Sequence, residues 1–116
     1  MSQWETIKEE CPLLYKNGIV FECGIGWYDV IHDLSLKIEK ILNENPEYFE
    51  MCAVQVREKY GTLRFYMGCE TDEISELISD AEALSSQTCE CCGDVGKMRG
   101  TYWSEVRCDK CYEEEK

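Results

Sequence analysis

Long apolar runs are missing from this sequence of 116 residues. No stretch approaches the roughly 20 consecutive apolar residues that a membrane-spanning helix needs. The N-terminal segment MSQWETIKEE is charged and has no apolar centre, so it does not resemble a secretion signal. We therefore expect a soluble, cytoplasmic protein that makes no contact with a membrane.

Positive charge is also scarce. Lysine and arginine together number 12, against 24 aspartates and glutamates, and the formal net charge is −12. A surface of this sign repels the phosphate backbone, so the composition argues against direct binding of DNA or RNA.

Signatures of catalysis are absent as well. The one histidine, His32, follows Ile31 in a helical stretch and forms no recognisable pair with a nucleophile. The segment GIGW, residues 24–27, lacks the length and the lysine of a phosphate-binding loop. We expect a protein that is not an enzyme.

Cysteine, in contrast, is abundant, with nine residues in all. The odd count and the lack of an export signal argue against a disulfide scaffold. Two matched pairs, Cys89-x2-Cys92 and Cys108-x2-Cys111, are separated by fifteen residues, a spacing typical of two short knuckles that hold one zinc ion. Cys91 could replace Cys89 or Cys92 as a ligand, but only the pair Cys89 and Cys92 has the same spacing as the pair Cys108 and Cys111. Four thiolates favour a closed, structural site with one Zn²⁺ per chain.

The chain is expected to consist of two parts. Residues 1–87 form a core domain, and residues 88–116 form a zinc-ribbon module with an acidic tail. So short a module buries little apolar surface, and metal binding would supply much of its folding free energy. Gly93 directly follows Cys92 and lets the knuckle turn so that backbone N–H groups point at the sulfurs.

An α+β core is predicted, with two amphipathic helices on either side of a β-hairpin. Apolar residues recur at steps of three and four over residues 27–43 and again over residues 72–86. Thr71 occupies the N-cap position of the second helix. Gly24 and Gly26 are interpreted as a flexible turn that leads into the first helix.

The segment QVREKYGTLRFY predicts a tight hairpin with Tyr60 and Gly61 at the centre of its turn. This register places Arg57 opposite Arg64. The core face is then Cys52, Val54, Val56, Leu63, Phe65 and Met67. The other face, called here the outer hairpin face, is Gln55, Arg57, Lys59, Thr62, Arg64 and Tyr66. A further short strand is expected within NGIVFECG, residues 17–24.

Two arginines directly opposite each other destabilise a sheet unless an anion lies between them. In one interpretation the chain's own carboxylates bridge them as a structural ion network. In the other, the two guanidinium groups grip an anionic ligand and tyrosines provide stacking surfaces. The candidate ligand-binding residues are Trp27, Tyr28, Arg57, Lys59, Tyr60, Arg64 and Tyr66. Trp27, like Trp103, is also interpretable as a core anchor.

Three segments in this order, FECGIGWYDVI, QVREKYGTLRFY and CECCG followed by CDKC, resemble a family of short proteins encoded by tailed bacteriophages and prophages, most without an assigned function. The resemblance covers residues 20–112. Family members often carry an acidic residue where this chain has Ile25, and a histidine where it has Cys111. The resemblance rests on three motifs. The first is a Gly-Trp-aromatic-Asp helix start at residues 26–29, and the second is a Lys-aromatic-Gly hairpin at residues 59–61, followed by Leu-Arg-Phe-Tyr at residues 63–66. The third is a pair of cysteine knuckles within residues 89–111.

The resemblance implies a role in conflict between phage and host. Small phage proteins of this kind often counter host defences, and several sequester a nucleotide immune signal without catalysis. We therefore expect a non-catalytic protein that binds an anionic nucleotide-like molecule or a host defence protein inside the infected or lysogenic bacterium. Two alternatives stay open: an acidic mimic of DNA, and a zinc-ribbon adaptor that inhibits a host protein. Homo-oligomer formation is also left open.

Overall fold

The computed structural model describes residues 3–100 and 105–114, which form a mixed α+β fold. Trp103 and the end of the predicted acidic tail lie outside the described residues. Short 3₁₀ turns occur at Ile25–Trp27 and Pro46–Tyr48. The helices and strands of the described residues are α1 (Gln3–Glu10), β1 (Phe21–Glu22), α2 (Tyr28–Glu44), β2 (Ala53–Lys59), β3 (Thr62–Met67), α3 (Asp72–Ser85), β4 (Lys97–Arg99), β5 (Glu105–Arg107) and α4 (Asp109–Glu114).

Both predicted helices of the core are confirmed as α2 and α3. The buried residues of α2 recur at helical spacing, and this helix packs against α3 and α1 within a buried core that also includes residues of the sheet. Helix α3 begins after Thr71, whose side-chain oxygen accepts the Ile74 backbone N–H at 3.2 Å. The predicted N-cap is therefore present. Among the described residues, no helix is both long and apolar enough to cross a membrane.

The core sheet has the strand order β1-β2-β3, with β1 parallel and β3 antiparallel to β2. The predicted hairpin register is confirmed, because Arg57 lies opposite Arg64. Tyr60 and Gly61 have φ values of 54° and 85°. Two consecutive positive φ angles are what a type I′ turn requires, and this turn matches the twist of the flanking strands.

The prediction that Val54 faces the core is wrong. The strands shift register between Ala53 and Gln55, and Ala53, not Val54, pairs with Met67. A bulge of this kind adds one residue and reverses the alternation of faces beyond it. Ala53 is consequently fully buried, whereas Val54 is 49% exposed.

Helix α3 covers the free edge of β3. The backbone N–H of Leu63 donates to Ser85 Oγ at 2.9 Å, and the N–H of Phe65 donates to Glu82 Oε2 at 3.1 Å. An edge strand with unpaired N–H groups can pair with another chain. These side chains close that edge and fix the hairpin against α3.

The sequence pattern does not anticipate helix α1, which packs beside β1. Trp4 stacks on Phe21 with ring centroids 4.6 Å apart. The segment after α1 is tied to α2 by the buried Glu39, whose carboxylate accepts the N–H groups of Leu13 at 3.2 Å and Leu14 at 2.9 Å. The N-terminal segment is therefore part of the core.

Candidate metal centre and hairpin face

Four cysteines meet near the end of the chain, and their sulfurs all lie within 4.8 Å of one another. They are the predicted ligands Cys89, Cys92, Cys108 and Cys111. A tetrahedral zinc site with Zn–S bonds of about 2.3 Å has sulfurs about 3.8 Å apart. The Sγ atoms of Cys92 and Cys108 are 3.5 Å apart, close to that spacing. The cluster could hold one metal ion.

The first pair forms the predicted knuckle, defined here as residues 89–93. Gly93 has a φ of 89°, and its N–H donates to the Cys89 carbonyl at 2.9 Å. A side chain is disfavoured at this φ, so the tight turn depends on glycine. The knuckle then leads into the β4–β5 hairpin, in which Met98 pairs with Val106.

The prediction of a second knuckle is wrong, because the second cysteine pair lies at the start of a helix. Cys108 immediately precedes α4, and Cys111 lies in its first turn. The residue that follows Cys111 is Tyr112, whose N–H donates to the Cys108 carbonyl at 3.0 Å as the helix continues. Here no glycine reverses the chain as Gly93 does after Cys92. The described module is therefore a knuckle, a hairpin and a helix in that order.

The electrostatics of the cluster favour a bound cation. Burial raises the pKa of the Cys89 thiol, but hydrogen bonds from the backbone of Cys108, Cys92 and Cys91 outweigh this effect and lower the pKa to about 6. The neighbouring Cys108 and Cys92 side chains raise the pKa of Cys111. One thiolate is thus readily formed, and further deprotonation is opposed until a metal ion shares the charge.

The knuckle contacts the core at residues 24–27, called here the glycine loop. The Gly26 N–H donates to the Glu90 carbonyl at 2.7 Å, and the Gly24 N–H donates to Glu90 Oε2 at 2.7 Å. The Trp27 indole N–H donates to the Thr88 carbonyl at 2.9 Å. These bonds hold the glycine loop in place, so its role differs from that of the flexible turn predicted from the sequence. Sequence reasoning missed Glu90, and its position between two cysteines is the one signal that could have identified it.

The predicted ligand-binding residues do not all lie together. Trp27 is fully buried in the core, which supports its interpretation as a core anchor. Tyr28 packs against the core, with its ring 5.7 Å from Trp4 and 5.4 Å from His32. Neither side chain belongs to the strand surface that carries the arginines. The outer hairpin face, together with Tyr60 at its turn, is thus the remaining candidate ligand surface.

Arg57 and Arg64 lie side by side on the outer hairpin face, and both are half-buried. Arg57 Nε donates to the Glu58 carbonyl at 3.3 Å. Within the described part of the chain, no carboxylate lies within 4.0 Å of either guanidinium group. Glu22 pairs with Arg57 across the sheet, yet its carboxylate is not within that distance. The structural ion network is therefore not seen among the described residues.

Aromatic side chains flank the arginines. Tyr66 is 41% exposed and neighbours Arg64 on the same face, and Tyr60 is 74% exposed with Lys59 Nζ 5.6 Å from its ring centroid. Three clefts of the described residues lie between α2 and α3, beside Asp109 and beside Phe49, and none of these three includes Arg57 or Arg64.

Comparison with known proteins found no match to this chain among protein-family models, curated proteins or solved structures. A functional assignment therefore depends on two features of the molecule itself, the cysteine cluster and the outer hairpin face.

Proposed function

We propose that this chain is a non-catalytic binding protein that holds one structural zinc ion and captures an anionic, nucleotide-like ligand on its outer hairpin face. One observation carries the ligand proposal. Arg57 and Arg64 lie directly opposite each other, and no carboxylate of the described residues lies within 4.0 Å of them. Two adjacent cations with no anion between them are unfavourable, and a bound phosphate removes that repulsion.

The donor set supports zinc as the metal. Four thiolates suit a soft or borderline cation, and four protein ligands complete a tetrahedral shell without an open position. Three of the four cysteines are buried, and Cys92 is exposed. In this proposal the module is a variant of a zinc ribbon, in which a helix replaces the second knuckle.

The ligand is proposed to bind through its phosphate. Neighbouring strands lie about 4.8 Å apart, so two opposed guanidinium groups can both reach one phosphate group. Each guanidinium offers parallel N–H donors that match two phosphate oxygens. Tyr66 provides a ring beside Arg64 on which a base can stack, and Lys59 adds positive charge near the turn. These local contacts act over a few ångströms, whereas the remaining acidic surface is screened beyond about 10 Å at 0.1 M salt.

The test is nucleotide binding measured by isothermal titration calorimetry, with a panel of mononucleotides, cyclic dinucleotides and inorganic phosphate as probes. Arg57→Ala and Arg64→Ala should each abolish binding that the wild type shows. Lys37→Ala is the matched control, because it removes one positive charge from an exposed ion pair on α2. Glu22→Gln should tighten binding, since it removes the negative charge beside Arg57.

Stability measurements on the same variants separate the two interpretations of the arginines. A ligand role predicts that Arg57→Ala changes the free energy of unfolding by no more than about 0.5 kcal/mol, as for substitutions away from structural contacts. A loss of about 3–5 kcal/mol, as when a buried ion pair is broken, with no nucleotide bound by the wild type, would make the arginines structural.

The resemblance to phage proteins gives the proposal its setting, which is the sequestration of a nucleotide signal in the host cytoplasm. A second candidate is the inhibition of a host protein by an acidic surface, and the net charge of −12 favours it. An acidic mimic of DNA would compete with duplex DNA for a DNA-binding protein, and the competition would weaken as salt rises. Nucleotide capture predicts no such competition.

A further inference from the structure

The glycine loop and the knuckle approach each other too closely for side chains. A Cβ atom on Gly26 would lie 2.2 Å from the Cys89 carbonyl oxygen, and a Cβ atom on Gly24 would lie 2.4 Å from the Glu90 carbonyl oxygen. Both obstructing atoms belong to the main chain. The knuckle backbone, with the ligand Cys89, would have to move to admit either side chain.

Backbone conformation does not explain these two glycines. Gly24 has a φ of −74°, which any residue can adopt, and Gly26 is not among the described glycines with positive φ. Gly93, in contrast, has a positive φ, and the Gly26 carbonyl oxygen would lie 3.1 Å from a Cβ there. Glycine is therefore required at positions 24 and 26 because the knuckle backbone leaves no room there for a side chain.

Glu90 joins three parts of the molecule. Its carbonyl and its carboxylate both accept N–H groups of the glycine loop, as described above. Its own N–H donates to the Val106 carbonyl at 3.0 Å, and its Oε1 atom lies 3.7 Å from Arg107 Nη1. The residue beside a metal ligand thus connects the knuckle, the core and strand β5.

We propose that metal binding is linked to the folding of the core through this contact, with Glu90 as the positioning residue. The inference depends on the zinc part of the proposed function. The knuckle presents Cys89 correctly when it is docked on the glycine loop, and the docked knuckle fixes Trp27 and the start of α2. Because such linkage is reciprocal, the glycine loop affects metal affinity as strongly as the metal affects the loop.

The first experiment measures Zn²⁺ affinity by competition with a chromophoric chelator. Gly26→Ala should weaken zinc binding about ten-fold to a hundred-fold, the range found when partners of metal ligands are removed. Gly68→Ala is the matched control, because its Cβ would meet no atom closer than 3.9 Å. Its affinity should equal that of the wild type. The Co²⁺ spectrum of Gly26→Ala at saturating metal should still show tetrahedral coordination by four thiolates.

Glu90 variants test the positioning role. Glu90→Gln keeps an oxygen that can accept the Gly24 N–H, whereas Glu90→Ala removes it. We expect Glu90→Ala to weaken zinc binding and Glu90→Gln to restore most of the affinity. If the side-chain oxygen that accepts the Gly24 N–H had no role, the two substitutions would weaken zinc binding equally. That outcome would overturn the assignment of Glu90 as a positioning residue.

The wild type provides a test that no folding defect can obscure. Removal of zinc with a chelator should increase hydrogen exchange at the start of α2 as well as in residues 88–100 and 105–114. The opposite end of α2, residues 38–44, serves as the internal reference. If zinc binds but Gly26→Ala has wild-type affinity, or if chelation leaves exchange at the start of α2 unchanged, the linkage is wrong. A wild type that binds neither Zn²⁺ nor Co²⁺ would instead overturn the zinc proposal, and the linkage with it.

Discussion

Ser85 is expected to be a major source of hairpin stability. Its hydroxyl is fully buried, accepts the Leu63 N–H at 2.9 Å and donates to the Glu82 carbonyl at 2.6 Å. Ser85→Ala leaves the Leu63 N–H without an acceptor at a position that water does not reach. A buried donor left unsatisfied costs about 1–3 kcal/mol, and we expect Ser85→Ala to lower the free energy of unfolding by that amount.

Ser86 offers a matched control at the next position. Its hydroxyl also donates to the carbonyl three residues earlier, that of Ala83 at 2.6 Å, but the bond is exposed. We expect Ser86→Ala to change stability by less than about 0.5 kcal/mol. Urea denaturation gives the free energy of unfolding of both variants. In thermal denaturation, each kcal/mol lost would lower the melting temperature by about 4 °C for a chain of this length. Equal effects of the two substitutions would refute the idea that Ser85 holds β3 against α3.

The cysteines supply the remaining predictions. Cys108→Ser should reduce the zinc content of the purified protein well below one ion per chain, while Cys69→Ser, at an exposed thiol outside the cluster, should leave it unchanged; full zinc content in Cys108→Ser, measured by elemental analysis, would contradict the ligand assignment. Burial raises the pKa of Cys11 from 9.0 to about 12, so between these pH values the unfolded chain releases a proton that the folded chain keeps, and stability falls as pH rises. Cys11→Ala should make the free energy of unfolding depend less steeply on pH, by at most about 1.4 kcal/mol per pH unit in urea titrations. An unchanged dependence on pH would contradict the raised pKa of the buried Cys11 thiol.

Local signals in the sequence were sufficient to predict the hairpin and the cluster of four cysteines. The Tyr60-Gly61 turn and the alternation on both sides of it determine the register. The matched spacing of the cysteine pairs identifies Cys89, Cys92, Cys108 and Cys111, which the structure places together.

Other features depend on contacts that are distant in the sequence. Ala53 and Val54 are both apolar, so composition does not reveal which of them faces the core at a bulge. Helix α1 has eight residues and is stabilised by packing on β1, a contact that its own sequence does not encode. The reason for Gly24 lies 66 residues away, at Glu90. A glycine needed for close approach looks the same in the sequence as one needed for a turn.

The four arginines of the chain fall into two classes, and the contrast bears on function. Arg99 pairs with Asp109, and Arg107 lies 3.7 Å from Glu90 and 3.4 Å from Glu105. Arg57 and Arg64 have no such carboxylate among the described residues, although acidic residues outnumber basic ones two to one. A protein with so many carboxylates could readily neutralise two surface arginines if they served only the fold. Their isolation supports the proposal that this pair binds an external anion, and nucleotide binding is the measurement that tests it.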